Sequence, residues 1–84
     1  MKKVKLTLNH LRPGQTCVVL HIWGNKALRK RLIEMGITPG VQIKVHKYAP
    51  LGDPMELHLR GYSLAIARSA AMQIQVKILF RKKE

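Results

Sequence analysis

The chain has 84 residues, and sixteen Lys and Arg against four Asp and Glu give it a formal charge of +12 at pH 7. A chain of this length holds one domain and buries only about 60–65% of its unfolded surface, which leaves little room for shielded catalytic groups. The charge calls for an anionic partner, whether nucleic acid, a membrane surface or an acidic protein face, and the lone Cys17 excludes an internal disulfide framework.

Met1-Lys2-Lys3 has the charge of a signal-peptide start, but Lys5, Thr7, Asn9 and His10 interrupt any apolar stretch behind it. No apolar run approaches the ~20 residues of a bilayer span. The expectation is a soluble protein that stays in the compartment where it is made. Leu11-Arg12-Pro13-Gly14 and Ile37-Thr38-Pro39-Gly40 read as two Pro-Gly turns of similar use, with Pro presetting one central position and Gly accepting φ > 0 at the next.

After the first turn, the β-branched run Thr16 to Ile22 predicts a strand. Gly24-Asn25 breaks it and supplies Asn25 as the N-cap of a helix from Lys26 to Met35. Leu28, Leu32 and Met35 fall at i, i+4 and i+7 and give that helix one apolar face. Lys26, Arg29, Lys30 and Arg31 fill much of the rest, and Gly36 stands where a C′ glycine belongs. Val41 to His46 alternates as a strand, residues 47 to 54 ("KYAPLGDP") form a loop, and Met55 to Arg60 alternates again with Leu57 and Leu59 inward. Gly61 permits a tight reversal into a strand over Ser63 to Ala67. Ser69 then caps a helical turn, Ala70 to Met72, and a last strand carries Ile74, Val76 and Ile78 on one face. The tail, Arg81-Lys82-Lys83-Glu84, is too charged to pack. Short consecutive antiparallel strands with tight turns predict a mainly β fold, a small barrel with one inserted helix.

The chemistry-bearing residues are few. Asp53 and Glu56 are close in sequence, but one lies in a turn, where Asp makes local hydrogen bonds, and the other on an exposed strand face. No glycine-rich phosphate motif is present, so neither catalysis nor GTP hydrolysis is expected. His10, Cys17, His21, His46, His58, Asp53 and Glu56 are of metal-ligand types, yet no pair has the spacing of a metal motif. With Val45 opposite Leu57, His46 faces Glu56 and Lys44 faces His58, a surface cross-strand arrangement. No metal site and no cofactor are expected, and Cys17 reads as a small buried hydrophobe. Nucleic acid suits the charge, but Trp23, Tyr48, Tyr62 and Phe80 are few for stacking platforms and no binding signature occurs.

"ALRKRLIEMGITPG" at 27–40 and "APLGDPMELHLRGYSLA" at 49–65, in this order, resemble the ferrous iron transport protein A (FeoA) family. The resemblance runs from Leu11 to Val76 through Leu28-Arg29, Arg31-Leu32, Gly36, Pro39-Gly40, Ala49 to Pro54 and Arg60-Gly61. It implies a small SH3-like barrel acting as a cytoplasmic accessory of the membrane ferrous iron transporter that carries a GTPase domain. The chain departs from the family where Ala67-Arg68-Ser69-Ala70-Ala71 replaces the frequent Arg-Arg-Ser-Glu-Ala, and where Trp23-Gly24 replaces a Gly pair. The expected partner is that transporter rather than nucleic acid, with the membrane met only indirectly at its inner face and weak self-association as a further contact. The expected contact residues are Lys26, Arg29, Lys30 and Arg31 of the helix, joined by an apolar patch of Tyr48, Pro50, Leu51 and Met55 with Asp53. Lys30 and Glu34 form an expected i, i+4 pair.

Overall fold

A computed structural model describes residues 5–80; Met1-Lys2-Lys3 and the charged tail from Arg81 lie outside the described residues. Five strands form one antiparallel sheet in the order β4-β3-β2-β1-β5: β1 Thr16–Ile22, β2 Gln42–Tyr48, β3 Met55–Leu59, β4 Tyr62–Ile66 and β5 Ile74–Leu79. Helix α1, Lys26–Glu34, joins β1 to β2, and a single turn α2, Arg68–Ala71, joins β4 to β5. A 3-10 turn at Leu8–His10 precedes the sheet.

The alternating residues explain how the sheet encloses a core. Cys17, Val19 and Ile22 of β1, Ile43 and Val45 of β2, Met55, Leu57 and Leu59 of β3, Ile66 of β4, and Ile74 and Val76 of β5 join one buried cluster. Both edge strands contribute to the same cluster, which a flat sheet cannot arrange, so the sheet is wrapped. The two Pro-Gly turns help fasten it. Each closes with the expected bond, Gln15 N–H to Arg12 O at 3.1 Å and Val41 N–H to Thr38 O at 3.1 Å. Their glycines, at φ 93 and 94, occupy the left-handed region that the turn demands. Gly14 N–H then bonds Val45 O, and Gly40 N–H bonds Val19 O.

Helix α1 begins as expected, with Asn25 Oδ1 accepting Leu28 N–H at 2.8 Å. Its end is a Schellman motif: Gly36 N–H bonds Ile33 O and Ile37 N–H bonds Leu32 O, both at 2.9 Å. Leu32 is 2% exposed and belongs to the core, and the half-buried Leu28 and Met35 pack against it.

Several expectations are corrected. The turn at Leu8–His10 is not among the predicted elements, although Leu8 and Leu11 are both core residues. β2 continues to Tyr48, so the loop is shorter than 47–54. β3 and β4 are joined by Arg60 and Gly61 alone, both at positive φ, and β4 begins at Tyr62. Ser69 does not cap α2, whose N-cap residue is Ala67. Between Val45 and Lys47 the β2–β3 register shifts, so Lys47 rather than His46 pairs with Glu56. His46 is the residue the shift leaves unpaired.

Candidate functional site

The basic face of α1 follows from its helical period. Arg29 and Lys30 lie about 100° and 200° around the axis from Leu28, whereas Leu32 returns to within about 40° of it. Burying Leu32 therefore turns Lys26, Arg29 and Lys30 outward, while Arg31, about 60° from Leu28 on the other side, stands at the flank of the apolar face; all four are exposed. The expected Lys30–Glu34 pair is not formed: among the described residues the one ion pair is His46 Nε2 to Glu56 Oε1, at 3.6 Å. Exposed lysines keep their side-chain entropy when hydrated, and a pair worth a few tenths of a kcal/mol does not hold them. Among the described residues, then, no acid engages the four cations of this face.

Beside the helix runs an open cleft of about 490 Å³. Leu28, Leu32 and Met35 form one wall, Ala67 and Ala70 line the other, and Arg31 stands with them at the cleft. The small side chains of Ala67, Ser69 and Ala70 keep this wall low.

The loop after β2 separates into exposed and structural parts. Pro50 is exposed and Leu51 is 96% exposed, so both are available for contact. Met55, expected in the same apolar patch, is 0% exposed. It shares the inward period of Leu57 and Leu59 and belongs to the core. Tyr48 is half-buried, and its hydroxyl donates to the backbone carbonyls of Asn9 (3.2 Å) and Leu11. Asp53 does not make the expected bond within its own turn: its Oδ1 instead accepts the N–H of Arg68 at 2.9 Å. The carboxylate thus satisfies a free donor in the first turn of α2, the role expected of Ser69. Arg68 in turn lies 5.3 Å from the Tyr48 ring centroid. Asp53 and Tyr48 therefore hold the loop in shape, and Pro50 and Leu51 form its outward surface.

His46 and His58 stack on the outer face of β2 and β3, with ring centroids 4.5 Å apart and an interplanar angle of 22°. Stacked rings aim their nitrogens along parallel planes, not toward a common point. Among the described residues no group of three or more His, Cys, Asp or Glu could hold a metal ion. Cys17 is fully buried, and burial pushes its thiol from 9.0 to about 12 against a weaker opposing effect of a hydrogen bond with the Ile43 backbone. The folded protein should therefore resist thiol alkylation at pH 8 and react stoichiometrically once unfolded. Full labelling of the native protein would contradict this. The same shift makes Cys17 a source of alkaline lability: stability is unaffected below pH 9 and falls as pH rises from there toward 12, because only the unfolded chain ionises in that window.

Trp23, marked in the sequence only as a departure from the family pattern, turns out to be the centre of a small cluster. It is 41% exposed, with the Lys5 ammonium 3.9 Å from its ring centroid and the His21 ring edge-on at 4.1 Å. Its Nε1–H donates to Gln75 Oε1 at 3.2 Å. These partners come from three separate stretches of chain, so only the fold brings them together. No helix among the described residues is long and apolar enough to cross a membrane.

The FeoA domain family matches residues 6–78. A curated relative from Porphyromonas gingivalis (strain ATCC BAA-308 / W83), an Fe(2+) transport protein A/Fe(2+) transporter FeoB fusion protein, is 32% identical over 74 residues. That match covers 88% of this chain and only 9% of the relative's length. The solution structure of a FeoA-like protein from Clostridium acetobutylicum superposes with a TM-score of 0.86 at 34% identity, covering 100% of this chain and 96% of the other. The crystal structure of Stenotrophomonas maltophilia FeoA complexed with zinc, described as a prokaryotic SH3 domain protein, gives a TM-score of 0.75 at 25% identity over 86% and 89% of the two chains. Matched along nearly its whole length in sequence and in fold, this chain belongs to the FeoA family of SH3-like domains associated with ferrous iron transport.

Proposed function

We propose that this domain is a non-enzymatic accessory of a FeoB-type ferrous iron transporter and docks, from the cytoplasm, on the transporter's GTPase-containing part through the outer face of α1. The observation that carries the reading is the set of four exposed cations, Lys26, Arg29, Lys30 and Arg31, none held by an ion pair among the described residues. A predominantly basic face, with Glu34 its only acid, on a rigidly seated helix steers and orients an acidic partner, mainly through the association rate. The P. gingivalis fusion supports the pairing, because joining an A-type domain to a transporter raises the effective concentration of one for the other. In this reading Pro50 and Leu51, exposed on the loop before β3, supply a second, apolar contact, and Asp53 and Tyr48 keep that loop in shape.

The test is titration of the purified cytoplasmic part of the transporter, alongside thermal melts. Arg29→Glu with Lys30→Glu should weaken binding at least about tenfold, or about 1.4 kcal/mol. The melting temperature should stay nearly unchanged, because exposed charges contribute little to stability. Wild-type affinity should fall as salt rises. If the double reversal binds as tightly as wild type at low salt, the helix is only a lid on the barrel and the reading is wrong.

A further inference from the structure

On the side of the sheet made by β1 and β5, a shallow apolar cleft of about 570 Å³ is lined by Leu20, Val76, Ile78 and Phe80, with Lys5 and Lys77 at its margin. Leu20 is 48% exposed and Phe80 86%, and neither has a role in the core. Trp23 adjoins this cleft through Lys5, whose ammonium sits on its ring, and through Gln75, which accepts its Nε1–H and also lines the cleft. We propose that this face docks on an anionic lipid bilayer. Phe80, Leu20 and Trp23 enter the boundary between headgroups and acyl chains, and the surrounding lysines meet lipid phosphates.

Three observations select that occupant. The first is charge. Lys5 and Lys77 stand at the margin of the cleft, and in the sequence Lys5 follows Lys2-Lys3 while Phe80 precedes Arg81-Lys82-Lys83, so the residues lining the cleft belong to basic stretches of the chain. Of the four acidic residues, Glu34, Asp53 and Glu56 belong to α1, the loop before β3, and β3, leaving Glu84 as the acid nearest in sequence. An apolar anchor beside a polybasic segment is the two-signal combination that holds a peripheral protein on an anionic membrane. The second is the chemistry of the anchors. Leu20 is exposed and aliphatic and matches acyl chains, with the half-buried Ile78 beneath it; a nucleic acid offers bases that stack on rings, and one face of Trp23 is already taken by Lys5. The third is the state of the sheet edge. Val76 N–H already bonds Leu6 O at 2.9 Å, and Thr7 bridges Gln75. The outer edge of β5 is thus occupied at its centre, which disfavours strand addition by a second copy.

This inference does not depend on the transporter contact, and its test contains no transporter. The full chain is mixed with vesicles of phosphatidylglycerol and phosphatidylcholine, and separately with vesicles of phosphatidylcholine alone. Sedimentation reports binding, and the emission of Trp23, the only tryptophan, reports its surroundings. Binding to the anionic vesicles is expected with a blue shift of Trp23, weakening as salt rises. Phe80→Ser, at a site too exposed to affect folding, should lower the partition coefficient about tenfold. Lys5→Glu with Lys77→Glu should do the same, and Arg29→Glu with Lys30→Glu should have a smaller effect than either. No binding to anionic vesicles overturns the proposal. So does binding that Phe80→Ser leaves intact and that brings no blue shift, which is diffuse adsorption of a cation. A dimer dissolved by Phe80→Ser, or a single-stranded oligonucleotide that gives the Trp23 response when the vesicles do not, assigns the face to another occupant and equally overturns it.

Discussion

Leu32→Ala should lower the unfolding free energy by about 2–5 kcal/mol, the range for truncating a fully buried leucine. Leu32 is the one residue of α1 that is fully in the core; Leu28 and Met35 only lean against it. The cavity therefore opens beneath the sole deep anchor of the helix. A domain of this size holds on the order of 4–13 kcal/mol in total, so the loss is a large share. Each kcal/mol corresponds to roughly 4–8 °C in melting temperature at this chain length. Urea titration gives the free energy, and amide exchange shows where it is lost. If α1 detaches locally, its amides lose protection before those of β1 to β3. Leu51→Ala is the matched control: at 96% exposure it should change stability by less than about 0.5 kcal/mol. A Leu32→Ala protein as stable as that control would mean that α1 is not seated as described.

How far the sequence leads depends on whether a feature is periodic or long-range. Val41, Ile43 and Val45 against Leu57 and Leu59 announce two half-buried strands, and Val45 does pair with Leu57, because shifting by one residue would turn every apolar side chain outward. The helical period likewise suffices to turn Lys26, Arg29 and Lys30 outward and to leave Arg31 at the flank of the apolar face. Strand alternation also sets Met55 in line with Leu57 and Leu59, inside; reading it as loop surface gives its proximity to Leu51 more weight than its register. The bulge at His46 leaves no mark in the sequence, since one inserted residue disturbs neither apolar face. Asp53 capping Arg68, and Lys5 lying on Trp23, join residues far apart in the chain, which no local rule anticipates. The 3-10 turn at Leu8–His10 does carry one local signal. Thr7 stands before it, and the His10 ring accepts the Thr7 N–H at 3.3 Å in the manner of a capping box.

Gly36→Ala should be the most damaging single-methyl change in the chain. Gly36 closes the Schellman motif of α1 at φ 98, where an L side chain meets the following carbonyl at a cost of about 1–2 kcal/mol. A Cβ at this position would also collide with the Tyr62 hydroxyl, which donates to Met35 O at the end of the helix. Tyr62 is 43% exposed and can swing away, but only by giving up that hydrogen bond, worth about 0.5–1.5 kcal/mol. The two effects should add to about 2–3 kcal/mol, and they can be separated. Tyr62→Phe removes the oxygen that the new methyl meets, so in that background Gly36→Ala should cost only the backbone part. The double-mutant cycle should then show a coupling of about 1 kcal/mol. At Gly14 or Gly40, where φ is equally positive but no atom lies within 4 Å of where an alanine methyl would sit, the substitution should cost the backbone part alone. Equal losses at positions 14, 36 and 40, with no coupling to Tyr62, would show that the hydroxyl does not hold the end of α1. The basic face would then be anchored to the barrel by Leu32 and its neighbours alone.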